Sequence, residues 1–234
     1  MIKAVLFDVD GTLIRTGGAG VKAFELALAS EFGVRGCVER VAFAGRTDLS
    51  LVRELFSLWG IQWNEENRQR FFRSYLSWLP RVLPQHNGMA LPGAVKFLDY
   101  LESRTPRPLI GLLTGNIQKG AEIKLLFYGL WHRFQMGAYG DEHEDRSEIA
   151  SIALKRVREI LGSEILPQEI LIVGDTPHDI ACAKYIGARS LAVTTGGASR
   201  SKLADCQPDW LVDDLGEFTF ESHRTRHTQG TLQF

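Results

Sequence analysis

Residues Ala4 to Leu13 read AVLFDVDGTL: an apolar run that ends in two aspartates, Asp8 and Asp10, followed by Gly11 and Thr12. A short, nearly continuous apolar segment from Ile2 to Phe7 is the pattern of a parallel strand buried on both faces, with charge and glycine at its carboxyl end. Three later stretches repeat the form: LIGLLTGN at Leu109 to Asn116, ILIVGD at Ile170 to Asp175 and SLAVTTGG at Ser190 to Gly197. Helical patterns separate them, at Gly93 to Glu102, Lys119 to Tyr128, Arg146 to Leu161 and Asp179 to Ile186. Strands alternating with helices predict an α/β fold, a Rossmann-like parallel sheet flanked by helices, with ligands outside the carboxyl ends of the strands. The four polar strand ends should therefore meet at one edge.

The segment from 16 to 88 breaks this alternation. It reads as amphipathic helices, among them Val21 to Phe32, Asp48 to Leu58 and Glu65 to Leu79, with no buried strand. The expected layout is an α/β core made of 1–15 and 89–221, an inserted α-helical cap at 16–88, and a mobile tail at 222–234 whose polar sequence lacks period. Trp59, Trp63, Phe71, Phe72, Tyr75 and Trp78 crowd the second half of the cap. They read as the cap's own small core in preference to an aromatic substrate box.

Composition narrows the function. The 234 residues suffice for one core domain with a subdomain, and 44% hydrophobic with 24% charged residues is ordinary for a globular chain. A formal charge of -1 leaves no global positive field for nucleic acid or an anionic membrane. Cys37, Cys182 and Cys206 show no metal-binding or CxxC spacing and read as free thiols. No signal-peptide core or membrane-length apolar run occurs, so the expectation is a soluble, cytoplasmic protein. No pattern sets an oligomeric state.

DVDGT at Asp8 to Thr12, LLTGN at Leu112 to Asn116 and GDTPHD at Gly174 to Asp179 are, taken in order, similar to the motifs of the haloacid dehalogenase superfamily, and the two-aspartate start resembles its phosphatase branch. The resemblance covers most of the chain, and the overall layout resembles phosphoglycolate phosphatase-like proteins. It implies a phosphatase acting on a small phosphorylated metabolite, with Mg2+ as cofactor. Asp8 would be the nucleophile forming an aspartyl phosphate, and Asp10 the group that protonates the leaving oxygen and then activates water. Asp8, Asp175 and Asp10, the last through its backbone carbonyl, would hold the metal, which offsets the repulsion between a carboxylate nucleophile and a dianionic ester. Thr114 and Gly115 would bind phosphate oxygens, with Asn116 there or holding the loop. Asp179 would support metal waters, orient a basic partner, or cap the following helix. Without the later motifs, Asp8 and Asp10 would read as turn aspartates at a strand end.

One motif departs from the pattern. The family usually has a lysine, often followed by proline, before the helix leading to the acidic strand; here that position is Arg146, which could clamp phosphate through two hydrogen bonds. Lys119 and Lys155 are the alternatives. In the cap, GRTD at Gly45 to Asp48 marks a helix start where Arg46 either contacts substrate or is a surface arginine beside a capped helix. Two rival functions remain: a phosphosugar mutase of the same superfamily, which would return the phosphoryl group to sugar, and a degenerate module that binds phospholigands without turnover.

Overall fold

The computed structural model describes residues 1–36, 38 and 41–222; the expectations for Cys37 and for 223–234 lie outside the described residues. Six strands form one all-parallel sheet in the order β5-β4-β1-β6-β7-β8. They are β1 (Ala4–Phe7), β4 (Leu109–Leu113), β5 (Met136–Ala138), β6 (Ile170–Gly174), β7 (Arg189–Val193) and β8 (Trp210–Val212). The central strand β1 pairs with β4 on one side and β6 on the other, Phe7 lying level with Leu112 and Val173. That register brings the residues after β1, β4 and β6 to one edge. The chain builds outward from β1 first through β4 and β5, then through β6 to β8, so β1 sits where the winding reverses, the usual ligand position in such sheets.

Period-two alternation places the strand side chains on two faces. Val5 and Phe7 pack with Ile110, Leu112, Leu171 and Val173 against α4 (Ala94–Glu102) and α5 (Gln118–Phe127). Ala4 and Leu6 pack with Leu113, Ile170 and Ile172 against α6 (Arg146–Leu161) and α7 (Pro177–Ile186). Strands covered on both faces must be apolar at every position, which is why the three strongest runs were readable without a sheet in view. The three-residue strands β5 and β8 were not anticipated. Each is too short to show a period and exists only because its neighbour offers a ladder of backbone partners. A last helix, α8 (Arg200–Asp205), precedes β8.

Helices α1 (Ala19–Phe32), α2 (Asp48–Leu58) and α3 (Glu65–Val82) occupy the segment after β1. Their apolar stripes meet around Phe24, Phe56, Phe71, Tyr75 and Leu79, all buried. Phe24 meets Phe71 and Tyr75 edge-on at centroid distances of 5.1 and 4.8 Å, the favoured aromatic geometry. Most of the aromatic crowd thus forms a core of its own, as the sequence implied, although Trp59 is 38% exposed. Ile117, just beyond β4, joins the same cluster and ties these helices to the sheet. A two-residue antiparallel pair, β2 (Ile14–Arg15) with β3 (Met89–Ala90), clasps the chain where it leaves and re-enters the sheet domain. Among the described residues no helix is long and apolar enough to cross a membrane.

Candidate active site

The sheet edge gathers Asp8 after β1, Thr114 to Asn116 after β4 and Asp175 after β6. Gly11, with a φ of +87°, turns the chain beneath Asp175; a Cβ there would stand 2.5 Å from Asp175 Oδ2, so the turn needs both the left-handed backbone and the missing side chain. The Thr12 hydroxyl donates to Asp175 Oδ1 at 3.2 Å. Asp8, Asp175 and Asp179 each bring one carboxylate oxygen within 4.8 Å of the others, and all three are buried. Burial pushes the Asp8 carboxyl above the ordinary range; Arg146 opposes this, while Asp179 and Asp10 reinforce it. Asp175 is raised in the same sense, by burial first and then by Asp179 and Asp8.

Arg146 answers the charge of this cluster. Its Nη2 lies 3.0 Å from Asp8 Oδ1 and also bonds Asp179 Oδ1. Burial alone would favour losing its proton, but Asp179 and Asp8 outweigh it and keep the guanidinium charged. Its Nε is buried with no partner, a donor left over beside the contacts that Arg146 makes to the acidic cluster. The two alternatives point elsewhere: the side chains of Lys119 and Lys155 are 68% and 79% exposed and pair with Glu122 and Glu159 on their own helices. Asp179 both orients Arg146 and caps α7, its Oδ2 accepting from the Thr176 backbone N–H and hydroxyl at 2.9 and 2.7 Å.

Asp10 faces away from the acidic cluster. Its Oδ2 accepts from Lys124 Nζ at 2.6 Å and from Asn116 Nδ2 at 2.9 Å, and the Asn116 amide also donates to Thr114 Oγ1 at 3.0 Å. Of the proposed ligands, then, Asp8 and Asp175 bring carboxylates to the cluster, joined by Asp179 and not by the Asp10 carboxylate. Thr114 is fully buried; its oxygen accepts from Asn116, leaving the hydroxyl proton for another acceptor. Lys124 had no signal in the sequence beyond that of an ordinary helix lysine.

The helical insertion closes over this edge. Thr47 caps α2 by accepting from Ser50 N at 3.1 Å, and its hydroxyl donates to the Glu144 carbonyl at 2.9 Å. Asp48 crosses to the sheet: its N–H donates to the Gly115 carbonyl at 2.7 Å and its carboxylate accepts from Ile117 N at 2.8 Å. Gly115 permits this approach, since a Cβ there would lie 2.0 Å from the Arg46 carbonyl oxygen. Burial raises Asp48 to about 6, with Lys124 and the Ile117 N–H opposing. The Arg46 guanidinium is held by Glu54 and the Ser50 carbonyl, so its charge is answered inside the cap.

Between cap and sheet lies a cavity of about 510 Å³, of small-molecule size. Asp8, Asp10, Asp175, Asn116, Lys124 and Arg146 line its polar floor. Val21, Phe24, Phe43, Leu51 and Tyr75 line the cap side, so Tyr75 serves both the cap's core and the cavity wall.

The model of the haloacid dehalogenase-like hydrolase family matches residues 5–193, from β1 through β7 and hence the whole site. This chain belongs to that family. Among relatives in this family, the probable phosphatase IndB of Dickeya dadantii is 28% identical over 223 residues, covering 94% of this chain and 93% of that protein. A phosphoglycolate phosphatase of Synechococcus elongatus is 27% identical, covering 91% and 93%. The fold is shared with a predicted phosphoglycolate phosphatase from Haemophilus somnus (TM-score 0.70, 21% identity, covering 92% and 95%) and with a β-phosphoglucomutase from Clostridium difficile (TM-score 0.71, 19% identity, covering 95% of each chain).

The phosphatases of this family generally use a divalent metal, and the buried acidic cluster fits one. Its donors are all carboxylate oxygens, the set that suits a hard cation. Two of its acids are pushed toward neutrality when only Arg146 is present to balance them. A raised pKa means that the folded state holds protons the unfolded chain has released. The stability this gives is complete below about pH 4 and is lost as pH rises through the raised values. Metal-free protein should therefore lose melting temperature steadily from pH 4 to 8. An added divalent cation should flatten that slope, save for the part due to Asp48; a slope indifferent to divalent cations would show that the cluster is not a metal site.

Proposed function

We propose that this protein is a magnesium-dependent phosphatase that hydrolyses a small phosphate monoester through an aspartyl-phosphate intermediate. One observation carries the reading: two aspartates a single residue apart on one cavity floor are held in opposite settings. Asp8 sits among acids and Arg146; Asp10 sits against Lys124 and Asn116.

Asp8, Asp175 and the Asp10 backbone carbonyl would hold the metal, with Asp179 steering Arg146 beside them. The ion would neutralise phosphate charge and polarise the phosphoryl group. An Asp8 oxygen attacks phosphorus as the bond to the leaving oxygen breaks, and Asp10 gives its proton to that oxygen, releasing the alcohol. A water then attacks phosphorus, passes its proton to Asp10, and frees Asp8 and inorganic phosphate. Arg146, with its unpartnered Nε, and Thr114, with its hydroxyl proton, are the donors for the equatorial oxygens, where charge accumulates. The mixed apolar wall of the cap favours a small organic leaving group and, with the docked Asp48, excludes water from the floor. We place the boundary of this cap at 16–88, with β2 and β3 as its clasp. The free thiols of Cys182 and Cys206 favour a reducing, cytoplasmic setting.

The test is phosphate release from a panel of small monoesters, including glycolate and sugar phosphates, with magnesium or with EDTA. Release that needs magnesium is the expected result. Transfer of the phosphoryl group between positions of a sugar, with no free phosphate, would replace this reading with a mutase. Inertness toward the whole panel would favour a binding module.

A further inference from the structure

Lys124 is the least expected residue of the site. It lies on the second turn of α5, and its side chain is only 6% exposed, whereas the Asp10 side chain it pairs with is 39% exposed. Burying an ammonium carries a desolvation cost before any pairing, and an apolar residue would fill the space without that cost. Both hydrogen bonds shown for this ammonium go to cavity-lining residues: Asp10 Oδ2 at 2.6 Å and Asn116 Oδ1 at 2.5 Å. Since the Asn116 carbonyl oxygen faces the ammonium, its NH2 must face Asp10, which closes a triangle of hydrogen bonds around Oδ2. Among the described residues, nothing donates to Asp10 Oδ1. The cap also reaches this point: a Cβ on Gly20, in the first turn of α1, would rest 3.4 Å from Nζ.

We propose that Lys124 is the positioning residue for Asp10. With Asn116 it saturates Oδ2 and fixes the rotamer, so that Oδ1 is the oxygen that passes the proton to the leaving group and later takes one from water. The inference rests on the phosphatase reading and adds to it the element that aims the acid. A lysine that merely attracted phosphate would act on every ester alike. One that aims Asp10 matters only where the leaving oxygen needs a proton.

The two roles separate by leaving group. In kcat/KM, which reports the phosphoryl-transfer step, Lys124→Met should cost an alkyl phosphate on the order of 100-fold, the usual worth of a placed acid. It should cost 4-nitrophenyl phosphate, whose phenolate departs unprotonated, less than about tenfold on the same reasoning. Lys124→Arg, which keeps a charged donor, should restore much of the alkyl rate. Should the methionine variant not fold, Asn116→Ala removes the other donor to Oδ2 and should show the same ester-selective loss. Equal losses for both esters would overturn the positioning role while leaving the phosphatase reading intact. A wild-type protein that releases phosphate from neither ester would overturn both.

Discussion

Asp8→Asn should abolish phosphate release while leaving the fold intact or more stable. The amide keeps the shape of the carboxylate but cannot act as the attacking oxyanion, and loss of a nucleophile from a catalytic unit costs on the order of 10⁴-fold or more. The structural consequence has the opposite sign. Asp8 is one of three buried acids facing a single arginine, and its own charge is disfavoured there. Removing that charge relieves repulsion on Asp175 and Asp179, and Arg146 retains its bond to Asp179. The expected pair of results is therefore null turnover with a melting temperature in EDTA at or above that of wild type. Turnover that survives the substitution would remove Asp8 from the nucleophile's role; turnover lost together with the fold would make Asp8 a structural residue.

Arg146→Met should have the largest effect on stability. The guanidinium is 7% exposed and is the charge that Asp8 and Asp179 both contact. Stripping the cation from a buried ion group leaves acids without compensation, a loss of about 3–5 kcal/mol. For a chain of this size that corresponds to a drop of roughly 10 °C in melting temperature. Magnesium should recover part of the drop, because a bound divalent cation would supply the missing charge. Arg146→Lys should lose less, since it keeps the charge and forfeits only the planar fork. Lys155→Met, at a side chain 79% exposed, is the control and should shift stability by less than about 0.5 kcal/mol. If Arg146→Met melts where wild type does, the acids are not held together by this residue, and the family's basic position lies elsewhere in the chain.

The two substitutions divide the floor by charge: the carboxylate of Asp8 is a burden to the fold, and the arginine that pairs with it is a support. Such an arrangement, a cluster of buried acids balanced by one arginine, is strained without a cation, and a bound divalent metal would relieve the strain. The docked cap adds to it, with Asp48 and Thr47 bonded to the loops after β4 and β5 and the charge of Arg46 already answered by Glu54.

The amino-acid sequence alone determined the parallel α/β core, the helical insertion, and the aspartates at the ends of β1 and β6. Those features are local: a buried strand writes its apolar run, and its functional residues follow within a few positions. Arg146 was singled out only through the family resemblance, as the residue at the family's basic position opening the helix before β6, with Lys119 and Lys155 as alternatives. The tertiary structure decided what was not local. Strands β5 and β8 are too short to carry a pattern and take their conformation from neighbours in the ladder. Lys119, Lys124 and Lys155 are equivalent as letters in helical stretches. The packing of α5 beneath the cap buries one of them against a carboxylate 114 residues earlier and leaves the other two in water. Asp48 reads as a helix-start acid, yet its carboxylate spans to Ile117 on the sheet side. Pairing of charges across such separations depends on which surfaces meet, and burial, which sharpens the attraction within each pair while stripping both partners of water, exists only once they have met.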